Sequence, residues 1–368
     1  QGVYDWNKDQ AGVYFLREAS NKGVTGLTAF ANSAPPALTA GRASCNSGFV
    51  TGSGNAYGAY LADVILHFKD QGINISYISA MNEPDSSFGP SPCGQEGMSV
   101  QPNQSHQRPI QSRGLSSVGI LADESSNLGN ANNNYATWLP GVASKVAALV
   151  HHTYDFPSDA SYTSYVTNTR NRYPGKEVCC SLGNADGSGK GWSQGYDPTI
   201  KNALMFSGLM FQSFLIANEP HYDFWTLVSN PNSNGWNDGL IYYDPSFKSN
   251  GNYKLYIKKQ YYTFKHFSQF VRPGSQRRPV NGSDAGKFTM VVFNPSTNTY
   301  SVLAMNPGSS DTSLSLTFPE AVCATKAYRT SAAEDFTQIG AATSNGGVWQ
   351  MPLKSMSMTT YLLERRSC

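Results

Sequence analysis

"ISYISAMNEPDSS", residues 75–87, decides how the rest of the chain is read. Its first seven residues are mostly apolar, as a buried strand requires, and the run then stops on Asn82, Glu83 and Pro84. A carboxylate at the tip of a buried strand does nothing for packing, so it asks for a chemical reason. The same tripeptide recurs at Asn218-Glu219-Pro220, in "LIANEPHYDFW". There it closes a long apolar helix and precedes a strand, which puts Glu219 at the start of a strand and Glu83 at the end of one. Of the two, Glu83 is therefore the candidate for chemistry, and Glu219 is expected to be a helix-end residue.

Working outward, strands and helices alternate. "QAGVYFLREASNK" (10–22) has helical spacing and stops at Gly23; "VTGLTAFAN" (24–32) reads as a strand ending on Asn32. "AYGAYLADVILHFKDQG" (56–72) is a second helix. "GLSSVGILADESS" (114–126) and "VAALVHHTYDF" (146–156) are strands ending in Asp123, Glu124, His152 and Tyr154. "EVCCS" (177–181) is β-prone. "DPTIKNALMFSGLMFQSFLIANE" (197–219) predicts a long helix with Asp197 as its N-cap. "YDFWTLVS" (222–229) is a further strand containing Trp225, and "NYKLYIKKQYYTFKHFSQFV" (252–271) a last helix. Such alternation means parallel βαβ units, and polar residues gathered at C-terminal strand ends are the pattern of a TIM barrel's active face. A doubly wound sheet also works at that face, but no Gly-rich phosphate loop follows any strand. Beyond Arg272 the pattern becomes short alternating strands such as "FTMVVFNP", "TYSVLAMN" and "SMTTYLLE", which predicts a C-terminal β-sandwich. The expected domains are 1–272 and 273–368.

Composition narrows the function classes. The chain has 368 residues, net charge +2 and no long basic run, which disfavours nucleic acid and anionic membranes as partners. The longest apolar stretch, "ALMFSGLMFQSFLIA", is short for a membrane span and carries Gln212. The six Cys lack CxxC spacing, and no HExxH or similar metal signature occurs, so neither a metal nor another cofactor is expected. Three glycosylation sequons (at Asn74, Asn103 and Asn281), with few Lys and many Asn, Ser, Gly and Tyr, predict a secreted, extracellular protein. The 21 Tyr and 6 Trp offer flat amphipathic surfaces suited to sugar rings. Cys45 and Cys93, after adjacent strands, are candidates for a disulfide.

Several stretches together, "FANSAPPALT", "ISAMNEPDSS", "GQEGM", "ADESS", "HTYDFPS", "EVCCSLG", "GYDPTIKNAL" and "FVRPG", resemble glycoside hydrolase family 30, nearest the group with fungal endo-β-1,6-galactanases. The resemblance implies an α/β fold, a (β/α)8 barrel with an attached β-sandwich, and a retaining mechanism with two Glu residues. It implies Glu83 as acid/base and Glu177 as nucleophile. Asn82 would bind the sugar 2-hydroxyl. Asn32, His152, Tyr154 and Trp225 would line the sugar-binding site. Retention needs the two carboxyl groups about 5–5.5 Å apart. By this alignment the first two barrel strands have no counterpart here, and "NTRNRYPGK" stands where the strand before Glu177 should be. The implied function is a secreted, monomeric hydrolase of β-linked plant cell-wall polysaccharide, most of all β-1,6-galactan side chains of arabinogalactan. A xylanase, a β-1,6-glucanase and an inactive carbohydrate-binding pseudoenzyme remain open as alternatives.

Overall fold

The computed structural model describes residues 2–43, 49–50, 52–83, 110, 113–172, 177–180, 198–230, 239–282 and 288–368; for 123, 137, 138, 141, 142, 170 and 177–180 it describes the backbone alone. The chain divides into two compact units, one formed by Gln1–Thr153, Ala160–Ser181 and Glu219–His221, the other by Tyr154–Asp159, Leu182–Asn218 and Tyr222–Cys368.

The first unit is α/β. Helix α1 (Gln10–Asn21) starts where the Asp9 side chain accepts from the Gly12 N–H. It is followed by β1 (Thr28–Phe30), α2 (Gly54–Asp70), β2 (Tyr77–Ser79), β3 (Gly119–Ser125), α3 (Leu128–Val142), β4 (Ala148–His151), α4 (Asp159–Tyr165) and β5 (Glu177–Cys180). Helix α3 is N-capped by Asn127, whose side chain accepts from the Asn130 N–H at 2.8 Å. With β6 (His221–Tyr222) the strands form one six-stranded sheet in the order β1-β2-β3-β4-β5-β6. Strands β1 to β5 pair in parallel. Parallel strands alternating with helices were expected from the sequence; among the described residues no pairing closes β6 onto β1, the order stays open, and the implied eight-stranded barrel is not seen.

Periodicity explains how this sheet is covered. Tyr57, Leu61 and Ile65 recur every fourth residue on α2, so they share one helix face, and they bury against Ile75, Ile78 and Met81 around β2. Full burial of such side chains stabilises by about 1.5–3 kcal/mol each. The Tyr57 hydroxyl, which would be costly to bury alone, donates to Ala80 O at 2.6 Å. Gly119 opens β3 because a Cβ there would stand 2.6 Å from Tyr77 Cδ1 on the neighbouring strand.

The second unit holds helix α5 (Ile200–Gln212), which continues as a helical run to Ala217, and helix α6 (Lys259–Phe270). Ile200–Ala217 is long and apolar enough to cross a membrane by length and composition, but most of it is buried inside the protein. Phe206, Phe211, Phe264 and Phe267 interlock the two helices. The N-cap of α5 is Thr199, which accepts from the Asn202 N–H; the expected cap, Asp197, lies outside the described residues. The segment expected as one helix over 252–271 starts later. Its first part, β9 (Leu255–Ile257), pairs antiparallel with β8 (Ile241–Tyr243), which itself pairs with β7 (Val228–Ser229).

The C-terminal part is antiparallel. One sheet has the order β10 (Gln276–Arg278), β11 (Thr289–Asn294), β12 (Thr299–Asn306), β18 (Ser357–Glu364), β14 (Cys323–Thr330) and β15 (Thr337–Ile339). A second has the order β13 (Thr312–Leu316), β17 (Val348–Leu353) and β16 (Thr343–Asn345). Val302, Tyr361 and Leu363 from the first sheet and Leu316, Trp349 and Met351 from the second bury in one cluster. A disulfide joins Cys323, at the start of β14, to Cys368. The expected Cys45–Cys93 pairing falls outside the described residues.

Candidate active site

Three strand ends build the site. In β3, Asp123 pairs with Val150 while Ser125 pairs with His151, so Glu124 is an extra residue in a bulge. A bulge turns its side chain out of the strand's alternation, and Glu124 takes the left-handed φ of 61° that this needs. Glu83, four residues past the end of β2, is also left-handed, with φ 44°. That conformation costs a non-glycine residue about 1–2 kcal/mol. It is held in place because the Glu83 N–H donates to Glu124 O at 3.0 Å. The third strand end is anchored likewise, the His152 N–H donating to Ser125 O at 2.9 Å.

The side chains then converge. Glu83, Glu124 and His152 are all buried. His152 Nδ1 lies 2.5 Å from Glu83 Oε1, and His152 Nε2 lies 3.1 Å from Glu124 Oε2. Burial by itself pulls the imidazole's pKa down. The hydrogen bonds to Glu124 and Glu83, with the charges of both, outweigh it and push the value up to about 9. The two hydrogen bonds favour an imidazolium held between the two carboxyl groups. Next to Glu83, Asn82 Oδ1 is buried with no hydrogen-bond partner among the described residues.

Successive strand residues face opposite sides, and His151 shows the consequence. Its Nε2 lies 2.7 Å from Glu219 Oε1, both side chains are fully buried, and Tyr165 of α4 meets its ring edge-on at 5.0 Å. Glu219 precedes β6, as read from the sequence, and its partner is His151, not His152. Glu83 and Glu219, from the two copies, thus meet successive histidines at the end of β4.

Glu177 is placed differently from Glu83. Ser79 pairs with Leu121, Leu121 with Ala148, and Ala148 with Glu177, so these four residues lie at one level of the sheet. Glu83, Glu124 and His152 are each three or four residues further along. At about 3.3 Å per residue, the Glu177 backbone lies roughly 10 Å back from the level of the cluster. It opens β5 where the resemblance would have it follow a strand. Asn32 is exposed in the loop after β1. Tyr154 is half-buried just after β4, and Trp225 is 46% exposed in the second unit. Glu124 was visible in the sequence as one of two carboxylates in "ADESS"; its link to Glu83 through His152 was not, because it depends on the bulge.

Residues 1–171 match the family model described as O-Glycosyl hydrolase family 30. The matched part contains Asn82, Glu83, Glu124 and His152 and ends before Glu177. No curated protein sequence matches the chain. Among solved structures it is similar to the catalytic domain of GH30 xylanase C from Talaromyces cellulolyticus, at 22% identity and TM-score 0.75, covering 99% of this chain and 82% of that one. It is similar to a conserved exported protein from Bacteroides fragilis, at 18% identity and TM-score 0.78, covering 98% and 81%. It is also similar to an endo-β-1,6-glucanase, at 15% identity and TM-score 0.68, covering 98% and 76%. The chain therefore has the fold of these glycoside hydrolases, and its first 171 residues match the model of O-glycosyl hydrolase family 30.

Proposed function

We propose that the protein is a secreted, retaining O-glycosyl hydrolase of β-linked plant polysaccharide, with β-1,6-galactan side chains of arabinogalactan as its preferred substrate. One observation carries the reading: a buried carboxylate, Glu83, held in a left-handed conformation past a strand end, beside a buried Asn82 oxygen without a partner. Buried polar atoms are normally satisfied, so Asn82 Oδ1 is suited to accept from a hydroxyl of a bound sugar. Glu83 protonates the glycosidic oxygen as the leaving sugar departs and then, as a base, activates the water that releases the glycosyl group. Glu177 is the proposed nucleophile, and Trp225 and Tyr154 are proposed sugar-binding side chains.

A second reading rests on the level of Glu177. If β5 keeps that register with substrate bound, the chain binds β-glycan without cleaving it. Reducing-sugar release from β-1,6-galactan, xylan and β-1,6-glucan separates the readings and ranks the substrates. Hydrolysis of galactan is expected. Binding of galactan with no release from any of the three would establish the pseudoenzyme instead. In an active protein, Glu83→Gln should still cleave an activated aryl β-glycoside, with turnover rescued by azide, since that leaving group needs no acid. Glu177→Gln should not, and normal hydrolysis by Glu177→Gln would remove it from the mechanism.

A further inference from the structure

We propose that Glu124 is a positioning residue for Glu83, acting through His152: its carboxylate keeps the imidazole doubly protonated and aimed, and its negative charge holds the proton on Glu83. The inference deepens the hydrolase reading and rests on it for its kinetic consequence.

The geometry is specific. A neutral imidazole has one N–H and one lone pair, so it can donate to one carboxylate and would present its lone pair to the other. Here both nitrogens meet carboxylate oxygens, at 2.5 Å and 3.1 Å, in a site where all three side chains are buried. In the imidazolium both nitrogens are N–H donors, Nδ1 to Glu83 Oε1 and Nε2 to the Glu124 carboxylate, and the second donation exists because the bulge in β3 delivers Glu124. The bulge residue is tied to Glu83 twice, once through the imidazole and once through its own carbonyl, which accepts the Glu83 N–H. The His152 ring meets Glu83 after β2 and Glu124 on β3. The residue before it, His151 at the end of β4, pairs with Glu219 instead.

Charge balance gives the consequence. An imidazolium alone beside Glu83 would favour the carboxylate and strip a general acid of its proton. With Glu124 present, the imidazolium's charge is matched, and adding a further negative charge at Glu83 is opposed. Glu83 can then be protonated at working pH, as leaving-group protonation requires.

The test uses the full chain. Glu124→Gln keeps the shape and can still accept from His152 Nε2, but removes the charge. On a β-glycan, whose departure needs the acid, the alkaline limb of the kcat/KM profile is expected to move about one pH unit lower, with Glu124→Asp restoring most of it. A merely structural role would lower the rate equally at every pH. Independently of activity, NMR titration of the His152 ring should give a midpoint well above 6.5 in the unaltered protein and a lower one in Glu124→Gln and in Glu83→Gln. A folded Glu124→Gln with an unmoved alkaline limb, or a His152 midpoint that does not change, overturns the proposal. Should Glu124→Gln fail to fold, Glu124→Ser, which also removes the charge, is read by the same two measurements with the same outcomes. If the unaltered protein hydrolyses no β-glycan, the hydrolase reading fails, and the NMR arm still decides whether Glu124 controls His152.

Discussion

Glu83 and Glu219 sit in the same tripeptide, yet one is paired with His152 and the other with His151. His151 ends β4 and His152 follows it, and successive residues of an extended chain point to opposite sides, so a single step along the chain separates a buried His–Glu hydrogen bond from an imidazole held between two carboxyl groups. His152 is expected to make stability depend on pH. Its folded pKa, about 9, lies above the ordinary value of 6.5 that it regains on unfolding. The stabilisation is therefore fully present below pH 6.5 and is lost as pH rises through about 9. Thermal unfolding of the unaltered protein should show a falling midpoint across that window, and His152→Asn should lack this part of the slope. A parallel pH dependence in the two proteins would show that His152 is not charged in the folded state.

At the scale of elements, the sequence reading erred where one local pattern served two states. "NYKLYIKKQ" was expected as the start of a helix; Leu255–Ile257 instead extends as a strand because Ile241–Tyr243 is there to pair with it. Its alternation satisfied both readings, and tertiary pairing chose between them. Strands β11, β12, β13, β14 and β18 were legible from period-two patterning and turn residues; β10, β15, β16 and β17 were not. The Cys323–Cys368 bridge clips the start of β14 to the chain's last residue across a sequence separation of 45. Closing a loop of that length restricts the unfolded chain by about 4 kcal/mol. Cys323→Ser is expected to lower the denaturant midpoint by a corresponding amount with native circular dichroism retained. A change below about 1 kcal/mol would mean that the bridge constrains little.

For the whole molecule, the open order of the six-stranded sheet matters most. Strand β1 pairs with β2 on one side, and among the described residues no strand pairs with it on the other. Its outer residues are exposed, Phe30 among them. An unpaired edge with an exposed aromatic is a template for association. Sedimentation velocity should show self-association growing with concentration, reduced in Phe30→Lys; a concentration-independent monomer would show the edge to be covered. What the sequence by itself determined was the α/β alternation, the antiparallel C-terminal part and the position of Glu83 past a strand end and of Glu219 before one. These follow from periodicity, turn chemistry and position relative to a strand end, which are local properties. What only the tertiary structure decided was which groups meet. The level of Glu177, the bulge at Glu124 and the clamp on His152 depend on register between strands far apart in the chain, and no single stretch of sequence encodes how its neighbour will be aligned.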